Sequence, residues 1–135
     1  MKRWLPALLA ATALAGCSGD DDGGAPKAVE GVPRDVAEAI ERLELATRGR
    51  DFDVICDDLF AAATRVRAGG EDCVELLRST AGDVREPAIR VLSIRIDGER
   101  ADVRVRSQAE GQGPVDETIE LVREDGEYRI AALGG

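Results

Sequence analysis

Partway along this chain the spacing of apolar residues changes from the helical period of about 3.6 to the strand period of 2, and few folds accommodate that order. Before the change, Val36, Ile40, Leu43 and Ala46 recur at helical spacing from Asp35, with Glu38, Glu41, Arg42 and Arg48 between them and Gly49 placed to stop the run. A second helix is expected from Asp51 or Asp53, either of which can cap it, presenting Ile55, Cys56, Leu59, Phe60 and Ala63. A third is expected from about Glu71 to Ala81, with Cys73, Val74, Leu76 and Leu77 apolar and Gly82 after it. After the change, Ile89 and Val91 alternate, and then Leu92, Ile94 and Ile96 alternate on the opposite parity. That slip predicts a β-bulge near Val91 and Leu92. Asp97-Gly98 signals a hairpin, and Ala101, Val103 and Val105 interleave with Asp102, Arg104 and Arg106 as one buried face and one wet. A loop from Ala109 to Pro114 is expected to lead to Val115, Ile119 and Leu121, and Glu124-Asp125-Gly126 to turn into Tyr128, Ile130 and Ala132. Helices followed by an antiparallel meander predict an α+β domain, its N-terminal helices packed on one face of a curved sheet.

That domain spans residues 34–135, about 100 residues, enough for a single core. Two different segments precede it. Met1-Lys2-Arg3 opens a basic start, and Trp4 to Ala15 is apolar except for Thr12. At about 12 residues it is too short for the roughly 20 that span a bilayer, so it is expected to be an export signal. It ends Leu14-Ala15-Gly16-Cys17, which resembles the lipobox of bacterial lipoproteins. The resemblance implies a signal peptide over residues 1–16, a diacylglyceryl group on Cys17, and a mature chain tethered to the outer side of the cell membrane. An ordinary signal peptide with a coincidental cysteine is the alternative. Lys2-Arg3 is not a twin-arginine pair, so the chain is expected to cross the membrane unfolded. Residues 17–33 form an acidic, small-residue stretch around Asp20-Asp21-Asp22 that cannot bury enough surface to order itself, and they read as a flexible linker. Three consecutive carboxylates lack the spaced oxygen ligands of a calcium loop.

The cysteines fit this address. Lipidation of Cys17 leaves Cys56 and Cys73 as an even pair outside the cytoplasm, where a disulfide between them would staple the second helix to the third. Two small buried thiols are the alternative. With no histidine in the chain, two cysteines leave a tetrahedral zinc two ligands short, so no metal is expected. No glycine-rich loop follows a strand and opens a helix, so no phosphate cradle and no cofactor is implied. The 27 acidic residues outnumber 18 basic ones, and loss of Lys2 and Arg3 with the signal deepens the imbalance. Such a charge opposes binding to nucleic acid and unassisted binding to anionic lipid.

The helical hairpin, third short helix, bent strand and closing hairpin ending Asp125-Gly126-Glu127-Tyr128-Arg129-Ile130 resemble small members of the nuclear transport factor 2-like superfamily, also called ketosteroid isomerase-like or cystatin-like. The Cys56 and Cys73 pair and the lipobox are similar to those of uncharacterised actinobacterial lipoproteins of that type. The resemblance covers roughly Arg34 to Leu133. It implies an α+β cone whose mouth can hold a small apolar ligand, in a superfamily where some members are enzymes and many only bind or dimerise.

The side chains available narrow the chemistry. Without histidine, neither a Ser-His-Asp triad nor a Cys-His pair can form, and Lys27 in the linker is the only mature lysine. Asp53 and Asp57, four apart at the start of the second helix, could divide into an acid and a base if they shared a dry site. Otherwise they complement the helix dipole. Arg95, Arg104, Arg106 and Arg129 form a candidate basic strip on the wet face of the sheet, which cross-strand pairing with Asp102, Glu117 and Glu120 would equally explain. Phe52, Phe60 and Tyr128 are the aromatics left after the signal. They are candidate pocket liners if the cone is open and core anchors if it is filled. The expectation is a non-catalytic, membrane-anchored module that binds a small apolar ligand or an envelope protein. A carboxylate-based hydrolase or isomerase is the alternative, and homodimerisation through a sheet edge is compatible with either.

Overall fold

The first helix forms because five apolar positions fall on one face. In a computed structural model describing residues 32–134, α1 (Val32–Gly49) buries Val36, Ala39, Ile40, Leu43 and Ala46. The expectations for the export signal, for Cys17 and for most of the linker lie outside the described residues. Asp35 in the first turn and Arg48 in the last complement the helix dipole. Gly49 belongs to the helix, and the left-handed residue that closes it is Arg50, at φ 60°. The amide of Asp51 then donates to the Ala46 carbonyl at 2.8 Å. A left-handed non-glycine residue costs about 1–2 kcal/mol. Arg50→Gly is therefore expected to stabilise the domain by about 0.5–1 kcal/mol in urea unfolding.

The second helix departs from expectation. A helical turn, α2 (Phe52–Val54), widens into a π-helical turn over Ile55–Leu59, closed by the Phe60 amide donating to the Ile55 carbonyl at 2.9 Å. The chain then leaves the helix. Phe60 is extended and bridges Ile130 in parallel, the Ala61 amide donates to the Ile130 carbonyl at 2.9 Å, and α3 (Ala62–Arg67) starts afresh. The Glu124 carboxylate accepts the Ala62 amide at 3.2 Å, satisfying one donor of the new helix. A single helix through Ala63 is thus corrected to two, because the sheet edge offers the Ala61 amide a carbonyl partner and the Phe60 side chain a buried site. Ala63 is exposed.

Gly69, at φ 111°, turns the chain after α3, and a Cβ there would approach the Asp72 carbonyl carbon to 3.2 Å. A 3₁₀ turn at Gly70–Asp72 then leads into α4 (Cys73–Ala81). A disulfide joins Cys56 to Cys73 with their Cα atoms 6.1 Å apart, both residues fully buried. It ties the π turn to the start of α4, the bridge expected of an even cysteine pair.

The four strands form one antiparallel meander: β1 (Ala88–Asp97), β2 (Arg100–Ala109), β3 (Gln112–Glu124) and β4 (Glu127–Ala132). The register of β1 on β2 shifts between Val91 and Ser93, leaving Leu92 as the extra residue. That bulge returns Ile94 and Ile96 to the face of Ile89 and Val91, the cause of the parity slip in the sequence. Asp125 at φ 52° and Gly126 at φ 81° make the β3–β4 turn. The expected loop from Ala109 to Pro114 is instead a tight turn at Glu110 and Gly111, with β3 beginning at Gln112. Pro114 is tolerated inside the strand because the ladder is irregular between Ser107 and Ala109. The inner face, with Val103, Val105, Ile119, Leu121 and Ile130 essentially inaccessible, packs under α1 and the π turn as one core. The domain is α+β, with helices laid on one face of a curved antiparallel sheet.

Candidate functional site

At one end of the sheet the inner face changes character. Directly opposed residues share a face, so pairing of Glu117 with the buried Val105, and of Val115 with Ser107, sets all four on the inner side. Here the helices no longer cover the sheet. A cleft of about 260 Å³ opens, lined by Thr47 of α1, by Val84, Pro87 and Ile89, and by Ser107, Gln108, Gln112, Val115 and Glu117 of the sheet.

The rim is fixed from α1. The Glu44 carboxylate accepts the backbone amide of Ile89 at 2.6 Å and is joined by Arg48 at 3.5 Å, while Arg48 also donates to the Pro87 carbonyl at 2.9 Å. Glu44 thereby satisfies an amide on the open edge of β1 and holds the strand under the helix. Glu44→Ala leaves that half-buried amide without its charged acceptor. It is expected to cost about 1.5 kcal/mol in chemical unfolding. Just before these anchors Glu86 is left-handed at φ 50°, although the following Pro87 already narrows its choices.

Inside the cleft, the Ser107 hydroxyl donates to Glu117 Oε1 at 3.2 Å. The Thr47 hydroxyl is turned away, donating to the Leu43 carbonyl at 2.7 Å. The arrangement offers one carboxylate, oriented by a serine, among Val84, Ile89 and Val115. It can accept a hydrogen bond or face a positive charge on an otherwise apolar molecule.

Glu117 was expected on the wet face, paired with arginines, and the structure corrects this. It shares its parity with Val115, Ile119 and Leu121, a signal that could have found it. The candidate liners lie elsewhere. Phe52 and Phe60 are 3% and 5% exposed and anchor the core, so they line no part of this cleft. Tyr128 is 8% exposed and borders a separate shallow groove with Asp35, Glu38 and Arg42, the Arg123 guanidinium lying 5.6 Å from its ring centre.

The candidate acid and base do not share a dry site. Asp53 and Asp57 are exposed, and Asp57 pairs with Arg65 at 3.1 Å. Of the basic strip, Arg129 donates to the Asp58 carbonyl at 2.7 Å, and Arg106 holds Asp116 through two contacts of 2.6 and 3.0 Å. The hydrogen bond from Arg106 keeps the Asp116 carboxyl below the usual carboxylate range, and the same bond raises the guanidinium. Because the folded-state value of Asp116 is depressed, the pair stabilises the fold above the ordinary carboxylate pKa and is lost as pH falls through the folded one. The stability gap between wild type and Asp116→Asn is expected to be present at neutral pH and to close on acidification, read from urea midpoints across that range.

No family model and no curated protein matches the sequence. Solved structures do match. An NTF2-like protein of unknown function from Silicibacter pomeroyi superposes with a TM-score of 0.53 at 13% identity, covering 73% of this chain and 88% of that one. Another, from Shewanella baltica, gives a TM-score of 0.51 at 10% identity over 73% and 86%. The helices and curved sheet described above are the fold that these proteins share.

Proposed function

We propose that this chain is an exported lipoprotein, anchored through Cys17, whose NTF2-like domain is a non-catalytic module binding a small, largely apolar molecule in the cleft at Glu117. The observation that carries the binding role is that carboxylate on the inner face of the sheet, oriented by Ser107 and set among Val84, Ile89 and Val115. A cleft of about 260 Å³ is at or below the small end of ligand sites, roughly 300–1,000 Å³, so the ligand is compact. Glu117 is the one carboxylate in the lining, with Gln108 and Gln112 beside it, and this suits a molecule with a hydroxyl or amine. The absence of histidine and the exposure of Asp53 and Asp57 support a role in binding over catalysis. Export is supported by the disulfide, which suits an oxidising compartment. Among the described residues no helix is long and apolar enough to cross a membrane, so under this reading attachment falls to the N-terminus.

Native mass spectrometry of the full chain, purified from its own host without reducing agent, tests the binding role. The wild type is expected to retain a small molecule that Glu117→Leu loses while staying folded by circular dichroism. A wild-type chain carrying nothing, or equal retention in the variant, overturns it.

A further inference from the structure

Among the residues that line the cleft, Glu117 is the sole ionisable one, although arginines occur on every strand and on α1, α3 and α4. The arginines around it are committed elsewhere. Arg48 on the rim meets Glu44 at 3.5 Å and donates to the Pro87 carbonyl at 2.9 Å, and Arg106 holds Asp116 on the opposite face of the sheet. Arg85 contributes a backbone carbonyl, which accepts the Glu110 amide at 2.7 Å and ties the segment carrying Val84 to the β2–β3 turn. No ion pair reaches Glu117 among the described residues. Its Oε1 accepts the Ser107 hydroxyl at 3.2 Å, and its Oε2 accepts no hydrogen bond there. A carboxylate drawn partly out of water without a counter-charge is unfavourable, and a ligand that brings the cation removes the penalty.

We propose that the cleft selects compact primary amines in their ammonium form, over neutral alcohols and against carboxylic acids. The proposal rests on the reading of the Glu117 cleft as a binding site, and names the class of molecule that it takes. An alcohol brings one neutral O–H to Glu117, whereas an ammonium brings three N–H donors and the opposite charge, and hydrogen bonds between ionised partners are about twice as strong as neutral ones. The Ser107 hydroxyl, in donating to Glu117, keeps lone pairs for a second N–H, and Gln108 and Gln112 carry amide carbonyls for a third. An acid would meet a like charge with no guanidinium in the lining to offset it. The chain's net charge of −9 adds a field of the same sign. The apolar part of the ligand lies among Val84, Ile89 and Val115, and about 260 Å³ at about 30 Å³ for each group the size of a water molecule holds about eight heavy atoms.

Three probes of one shape test this: hexylamine, hexan-1-ol and hexanoate. At pH 7 the amine is protonated and the acid ionised. The full chain is used as Cys17→Ser, so that no acyl group competes for the probes, with Cys56 and Cys73 bridged. Dissociation constants are read from the amide NMR shifts of Ser107, Val115 and Glu117 at fixed ionic strength. Hexylamine is expected to bind at least about tenfold more tightly than hexan-1-ol, with hexanoate the weakest. Glu117→Gln keeps the shape of the side chain and an acceptor for Ser107 but removes the charge. In that variant the amine-to-alcohol ratio is expected to fall to about one, with the affinity for hexan-1-ol within about twofold of wild type. Equal binding of amine and alcohol, or tighter binding of hexanoate, would overturn the choice of amines while leaving the cleft a binding site. An amine preference that persists in Glu117→Gln would also overturn it, since net charge alone would then be attracting the cation. If none of the three probes moves these amides, the binding role of the cleft falls together with the proposal.

Discussion

Replacing Cys56 and Cys73 together by alanine is expected to cost the domain about 3 kcal/mol, since the bridge closes a loop with a sequence separation of 17. For a domain of this size that lowers the melting temperature by about 12–24 °C. Alanine is the informative replacement: both positions are fully buried, and serine would add two hydroxyls without assured partners. The loss should be uneven. Apart from Cys73, α4 contributes only partly buried Val74, Leu77 and Ala81 to the core, and Leu76 is exposed. Without the bridge, little holds this helix to the π turn. Amide exchange in α4 is therefore expected to rise more than exchange in β2 and β3, whose inner residues carry the core. Thermal melts of wild type with and without reductant, beside the double variant, give the comparison. A shift of only a few degrees would mean that α4 is held by packing rather than by the bridge.

The features legible in the sequence were those set by local periodicity. The stripe of Val36, Ile40, Leu43 and Ala46 specifies α1 because each residue lies one turn or nearly so from the last. The parity slip at Val91 and Leu92 announces its bulge because strand residues must alternate faces. Three features were hidden for physical reasons. The helix broken at Phe60 has apolar spacing that suits a continuous helix, and what interrupts it is the Ile130 carbonyl on a strand 70 residues later. Pro114 reads as loop because proline cannot join a regular ladder, but an irregular ladder removes the objection. Glu117 was placed outside by its charge, whereas its parity with Ile119 and Leu121 places it inside. The scaffold of the cleft is thus legible in the sequence, whereas its carboxylate is not, because a charged strand residue ordinarily faces water.

Cys17→Ser is expected to produce the largest change of all: loss of stable membrane attachment. If Cys17 carries a diacylglyceryl group, two chains of about 15 carbons at about 0.8 kcal/mol per buried CH₂ supply on the order of 20 kcal/mol. Nothing in the folded domain could replace that. Among the described residues no helix spans a bilayer, and arginines on the outer face would contribute only about 1 kcal/mol each near anionic lipid. Those contacts are also screened by salt, whereas acyl chains are not. Wild-type protein should therefore stay with membranes through a high-salt wash and enter the detergent phase, with its N-terminal peptide heavier by the acyl groups. The variant should carry no such mass and should not partition into detergent as a lipid-anchored protein. The disulfide sharpens this expectation, because it commits Cys56 and Cys73 to each other and leaves Cys17 as the sole thiol available for lipid. An unmodified wild-type N-terminus would remove the anchor from this reading. The Glu117 cleft would survive as the site of a freely diffusing binding protein.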